Sequence, residues 1–161
     1  MSGLNHFDAS GNARMVDVSA KDVTRRVAVA TGTITMNREA MDQIVQKKAK
    51  KGDVLTVAQV AGIMAVKRTW ELVPMAHPLP LTGIDLHFTV DEENCRVKAE
   101  CTAKIDGKTG VEMEAITGVS IALITIYDMV KGVDRGMVIS DIRLEYKAGG
   151  RTGEYRREEQ Q

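Results

Sequence analysis

Asp128 and Lys131 stand three residues apart in the apolar stretch IALITIYDMVKGV, so a helix there carries both charges on one face. Such a pair can pass a proton between its members. It can equally be a surface ion pair near a helix end, contributing about 0.2–0.5 kcal/mol. Glu112 and Glu114 follow a KTG loop. If that piece is extended, both carboxylates point the same way and can accept hydrogen bonds from the N–H edge of a guanine-like ring. They can also answer the dipole of a helix that starts nearby. His77 lies in KRTWELVPMAHPLPL (Lys67–Leu81), with the only tryptophan and all three prolines. Proline restricts its own φ and that of the preceding residue, so Pro74, Pro78 and Pro80 hold this segment stiff and extended. A histidine on such a loop either meets a ligand or is satisfied locally.

The cations near loops form a further set: Arg25, Arg26, Lys50, Lys51, Lys67, Arg68, Lys147 and Arg151. A solvated surface accounts for most of them. Lys51, followed by Gly52 and Asp53 before a helix start, is better placed for an anion or acid–base role, because helix N-termini attract phosphate. Neither GxxxxGK[ST] nor GxGxxG occurs, which excludes a Walker loop and a dinucleotide fingerprint. GGRTG (149–153) is glycine-rich but sits in the C-terminal tail and is a weak signal.

With 161 residues the chain is expected to form one domain, 1–161, with arms at 1–14 and 148–161. Its 22 basic and 22 acidic residues cancel, and aromatics make up 4%, which argues against nucleic acid and against an anionic membrane surface. MSGLNHFDASGNAR lacks an apolar signal core, and no run of about 18 apolar residues occurs, so a soluble, cytoplasmic protein is expected. Cys95 and Cys101 fit reduced thiols, with Cys101 inward on a strand. No metal-ligand cluster is visible.

The elements that must position these groups follow from periodicity. A β-branched run predicts a strand over Val27–Met36. Asn37 is a plausible cap for a helix over Arg38–Lys48, and Asp53 for one over Val54–Trp70. Alternation predicts a hairpin of Ile84–Val90 and Val97–Ile105 around the turn 91–94. A short extended piece at 111–115, a helix over Ile116–Val133 and a last strand over Val138–Tyr146 complete the order. Helices covering one face of an antiparallel sheet give a two-layer α+β domain. Ala28, Ala30 and Gly32 are expected to allow close packing on the sheet's other face, consistent with self-association.

Several segments together resemble one family. MVDVSAK (Met15–Lys21), KGDV (Lys51–Val54), AGIMAVKRTWELVPMAHPLPL (Ala61–Leu81), the stretch from KTGVEMEA to YDMVK (Lys108–Lys131) and GGRTG are similar, in order and spacing, to the cyclic pyranopterin monophosphate synthase family, the molybdenum cofactor biosynthesis protein C family. Many members carry Cys before the histidine; here it is Ala76, so a thiol there is not essential.

The resemblance implies a ferredoxin-like α+β fold assembled as a homohexamer, a trimer of dimers, with sites between subunits. It implies a lyase that converts 3′,8-cyclo-7,8-dihydroguanosine 5′-triphosphate to cyclic pyranopterin monophosphate and pyrophosphate. By position, Asp128 would be the catalytic acid–base residue, with Lys51 and Lys131 as partners. Met75, Ala76, His77, Met113 and Glu114 would line the substrate pocket, with Glu112 and Arg26 nearby. No resident cofactor is expected, and Mg²⁺ can accompany the triphosphate. The competing reading is a non-catalytic nucleotide-binding module on the same scaffold, since such folds host many functions.

Overall fold

In the computed structural model, which describes residues 10–49, 52–151 and 153–158, β1 (Thr24–Thr35) is the central strand. Asn37 caps α1 (Arg38–Val45) by accepting the Ala40 N–H at 2.9 Å. Asp53 caps α2 (Val54–Lys67) by accepting the Thr56 N–H at 3.2 Å. The second helix stops at Lys67 instead of running to Trp70. The Thr69 hydroxyl donates back to the carbonyls of Ala65 and Val66, and a four-residue turn, α3 (Thr69–Leu72), takes over before Pro74.

The expected hairpin forms from β2 (Gly83–Asp91) and β3 (Arg96–Gly107). Helix α4 (Glu112–Val130) then leads to β4 (Val138–Ala148) and a two-residue strand, β5 (Tyr155–Arg156). The sheet is antiparallel throughout, in the order β2-β3-β1-β4-β5. Helices α2 and α4 cover one face, giving the expected two-layer α+β sandwich with a βαββαβ element order.

The core lies between the layers, where Ile34, Leu86, Ile105, Leu123 and Ile126 are fully buried. Helix α4 is long and apolar enough to cross a membrane by length and composition, yet half of it is buried against the sheet and α2. It is the core helix of this sandwich. Where α2 crosses α4, a Cβ on Gly62 would lie 2.9 Å from the Gly118 carbonyl oxygen, so the two backbones touch with no side chain between them.

Two expectations are corrected. Ala28, Ala30 and Gly32 do not face outward: they are buried on the helix face, and a Cβ on Gly32 would collide with Val119 and Leu123 of α4. Their smallness lets the long helix sit close to the central strand. The piece 111–115 is not extended either, because α4 begins at Glu112. Glu112 and Glu114 are therefore about 200° apart around a helix and do not point the same way.

Candidate active site

Glu112 and Glu114 occupy the first turn of α4 and face different surroundings. Glu114 is 4% exposed. Burial pushes its carboxyl up to about 7, and the nearby Glu112 charge adds to the rise. Glu112 is half-buried and accepts a hydrogen bond from Lys147 Nζ at 2.8 Å, an ion pair between α4 and β4. The carboxyls thus divide: one keeps its proton up to about pH 7, and the other is ion-paired with Lys147.

A cavity of about 430 Å³ opens beside them, walled by Met75, Ala76 and His77 on the proline-stiffened loop and by Met113, Glu112 and Glu114 on α4. A second hollow of about 450 Å³ adjoins it and shares Lys21, Thr109, Gly110 and Glu112 as walls. Arg26, Lys147 and Arg151 bring positive charge to this second hollow. Each volume is in the range that holds a small molecule. One end is apolar with two carboxyls and an imidazole; the other is cationic.

The cationic end depends on the tail. Gly149 and Gly150 adopt positive φ, +100° and +77°, and a Cβ on Gly150 would strike the Arg26 guanidinium. Arg26 is held there by Nε donating to the Gly107 carbonyl at 2.9 Å. Gly150 and Arg151 of the GGRTG segment, weak as a sequence signal, form part of the wall. Lys21 and Lys147, which sequence reasoning did not separate from surface cations, line the cleft as well. Their signal lay in position: Lys21 ends the MVDVSAK segment, and Lys147 immediately precedes Ala148 and the glycine pair.

Asp128 and Lys131 are elsewhere. They form the i,i+3 pair at 2.6 Å, each side chain 53% exposed, near the other end of α4. Sixteen residues at 1.5 Å rise put Asp128 about 24 Å along the helix from Glu112. Lys51 lies outside the described residues. Met75, Ala76, His77, Met113, Glu112 and Glu114 therefore share one cavity with Arg26 next door, and Asp128 and Lys131 do not join them within one chain.

Two larger depressions, of about 800 and 1040 Å³, lie on the sheet's other face. In the larger of them Arg143 and Arg157 pair with Glu145, which also accepts from Thr31. Cys101 is buried in the core, with its thiol pushed up to about 12 by burial, and has no place in the cleft. Among the described residues, no group of three or more His, Cys, Asp or Glu could hold a metal ion.

Comparison with known proteins bears on what this cleft is for. The cyclic pyranopterin monophosphate synthase of Heliobacterium modesticaldum is 57% identical over 159 residues, covering 99% of this chain and 100% of that protein. The synthase of Dinoroseobacter shibae is 54% identical over 158 residues, covering 98% and 100% respectively. That of Brevibacillus brevis is 53% identical over 156 residues, covering 97% of each. A model of the MoaC family matches residues 15–150, which include every wall of the cleft up to Gly150. The chain belongs to the MoaC family.

Proposed function

We propose that this chain is a lyase of molybdenum cofactor biosynthesis, converting 3′,8-cyclo-7,8-dihydroguanosine 5′-triphosphate to cyclic pyranopterin monophosphate and pyrophosphate. The observation that carries the reading is the divided cleft at the start of α4. Its carboxyl-lined end suits a purine-derived ring, and its cationic end suits a triphosphate.

The chemistry follows from residue types. Glu112, paired with Lys147, accepts from the N–H edge of the ring, while Glu114, whose carboxyl keeps its proton up to about pH 7, can donate to a ring nitrogen or carbonyl when protonated. Lys21, Arg26, Lys147 and Arg151 offset the charge that grows as pyrophosphate leaves and a hydroxyl closes the cyclic phosphate. Ring opening and closing require proton transfers, for which a positioned group supplies roughly 10²–10⁴-fold. Asp128 and Lys131, in direct contact, are the pair assigned to that work, with Lys51 as their partner. Mg²⁺, if used, would arrive with the triphosphate.

The separation of about 24 Å between Glu112 and Asp128 supports a site completed between copies of the chain, as in a hexamer made of three dimers. The βαββαβ order supports the ferredoxin-like assignment, and a nucleotide substrate together with a core-packed α4 supports a cytoplasmic location.

The test is turnover of purified protein with the cyclised dihydro-GTP, following pyrophosphate and the fluorescent pterin formed on oxidation. The two products are expected in equal amounts. Tight binding with neither product would move the chain to the class of nucleotide-binding modules.

A further inference from the structure

Residues Val16–Lys21 cross the cleft as a strap tied on both sides. On one side the Val16 carbonyl lies 2.8 Å from His77 Nε2. On the other, the Ser19 carbonyl accepts from Lys108 Nζ at 2.7 Å, on the loop that leads into α4. The strap is also fixed within itself: Lys21 N–H donates to the Val18 carbonyl at 3.0 Å, and Ser19 N–H to the Asp17 carboxylate at 2.8 Å. Val16, Val18 and Lys21 then face the cavity that His77 lines.

A backbone carbonyl can only accept, so the ring nitrogen facing Val16 must carry the hydrogen. In a neutral imidazole this leaves Nδ1 as a lone pair, and the tautomer is set by the bond the other nitrogen makes. Nδ1 has no hydrogen-bond partner among the described residues, on a ring that walls the cavity.

We propose that the Val16–Lys21 strap is a positioning element whose main chain fixes His77 as the Nε2–H tautomer, so that the ring meets substrate through Nδ1 as a hydrogen-bond acceptor. Nε2 is committed to the strap and is not the base that takes a proton from substrate. Val16 acts through His77 and does not itself touch the reacting atoms. The substrate half of this proposal rests on the cleft being the site of the cyclase reaction; the tautomer half does not.

The experiment uses the whole protein labelled with ¹⁵N-histidine, with long-range ¹H–¹⁵N correlations recorded at about pH 8, above the ordinary histidine pKa of about 6.5. His77 is assigned by its loss in a His77→Gln variant. The expected pattern is a protonated Nε2 and an unprotonated Nδ1. A protonated Nδ1, or signals averaged between tautomers, overturns the proposal whatever the protein turns over.

The same variant supplies a second arm. A Gln amide nitrogen can stand where Nε2 stood and keep the tie to Val16, but it leaves nothing at Nδ1. The Ser19 and Lys21 amides are expected to keep their wild-type hydrogen-exchange protection while kcat/KM falls about tenfold or more, as when a substrate donor is left unpaired. Wild-type kcat/KM in that variant overturns the acceptor role. Absence of turnover in the wild-type protein would overturn the cyclase reading and leave the tautomer result standing.

Discussion

The two ends of α4 differ in everything except the presence of charge. At the Glu112 end, carboxyls, an imidazole and cations from five separate segments converge on one cleft, and one carboxyl is buried enough to lose its usual acidity. At the Asp128 end, an acid and a base touch each other, each side chain 53% exposed. One end forms a cleft, and the other carries an exposed ion pair. In the proposed reading, copies of the chain bring the two ends together in one site.

The largest effect that sharpens this contrast is expected at the open end. Asp128→Asn should lower kcat by about 10²–10⁴-fold. It should change unfolding free energy by no more than about 0.5 kcal/mol, because a half-exposed ion pair contributes little to stability. Rate assays and denaturant melts on one preparation give both numbers. A variant that turns over normally removes Asp128 from the chemistry.

Mixing comes next. Asp128→Asn and Glu112→Gln chains, each inactive alone, should regain up to about a quarter of wild-type activity after subunit exchange, since random pairing then joins two intact ends in one site of four. No recovery, with exchange verified by mass, would put the whole site within one chain and break the comparison.

The third test concerns Glu114, at the closed end. Its carboxyl keeps its proton to about 7 when folded, against about 4.5 for an ordinary glutamate, so the folded chain holds the proton more tightly. Stability should therefore be greatest below about pH 4.5 and fall as pH rises to about 7, by about 3 kcal/mol in all. Glu114→Gln should remove that slope, matching wild type at low pH and exceeding it above pH 7. Equal pH dependence in the two proteins would show that the carboxyl is not buried in a way that matters.

Much of the frame was legible because it rests on local signals. Asn37 and Asp53 announce their helices, and the alternation of Ile84–Val90 and Val97–Ile105 announces the hairpin. The start of α4 was not legible, because Val111 stands at its cap with no side-chain hydrogen bond, and Glu112, Met113, Glu114 and Ala115 alternate like a strand. Tertiary burial decided that stretch, with Val111 and Ala115 drawn into the core. The outward reading of Ala28, Ala30 and Gly32 failed for a related reason. Small residues signal close approach but not from which side, and only the position of α4 answers that.

The residues of the candidate site divide in the same way. Met75, Ala76, His77, Met113, Glu112 and Glu114 belong to segments whose motifs stand out in the sequence, and they lie together in space. Lys21, Lys147 and Arg151 were hidden because a cation in a cleft and a cation in solvent look alike in one dimension. What distinguishes them is the glycine pair at 149 and 150, which turns the chain back onto Arg26, and β5, which pairs with β4 just beyond.

The placement of the sulfur atoms has a consequence for redox exposure. Cys101 is sealed in the core and Cys95 sits in the β2–β3 turn, while position 76 in the cleft carries a methyl group. The sulfur in the cavity wall belongs instead to the thioethers of Met75 and Met113. Oxidation in this cavity wall would therefore fall on thioethers, giving methionine sulfoxide, which methionine sulfoxide reductases repair.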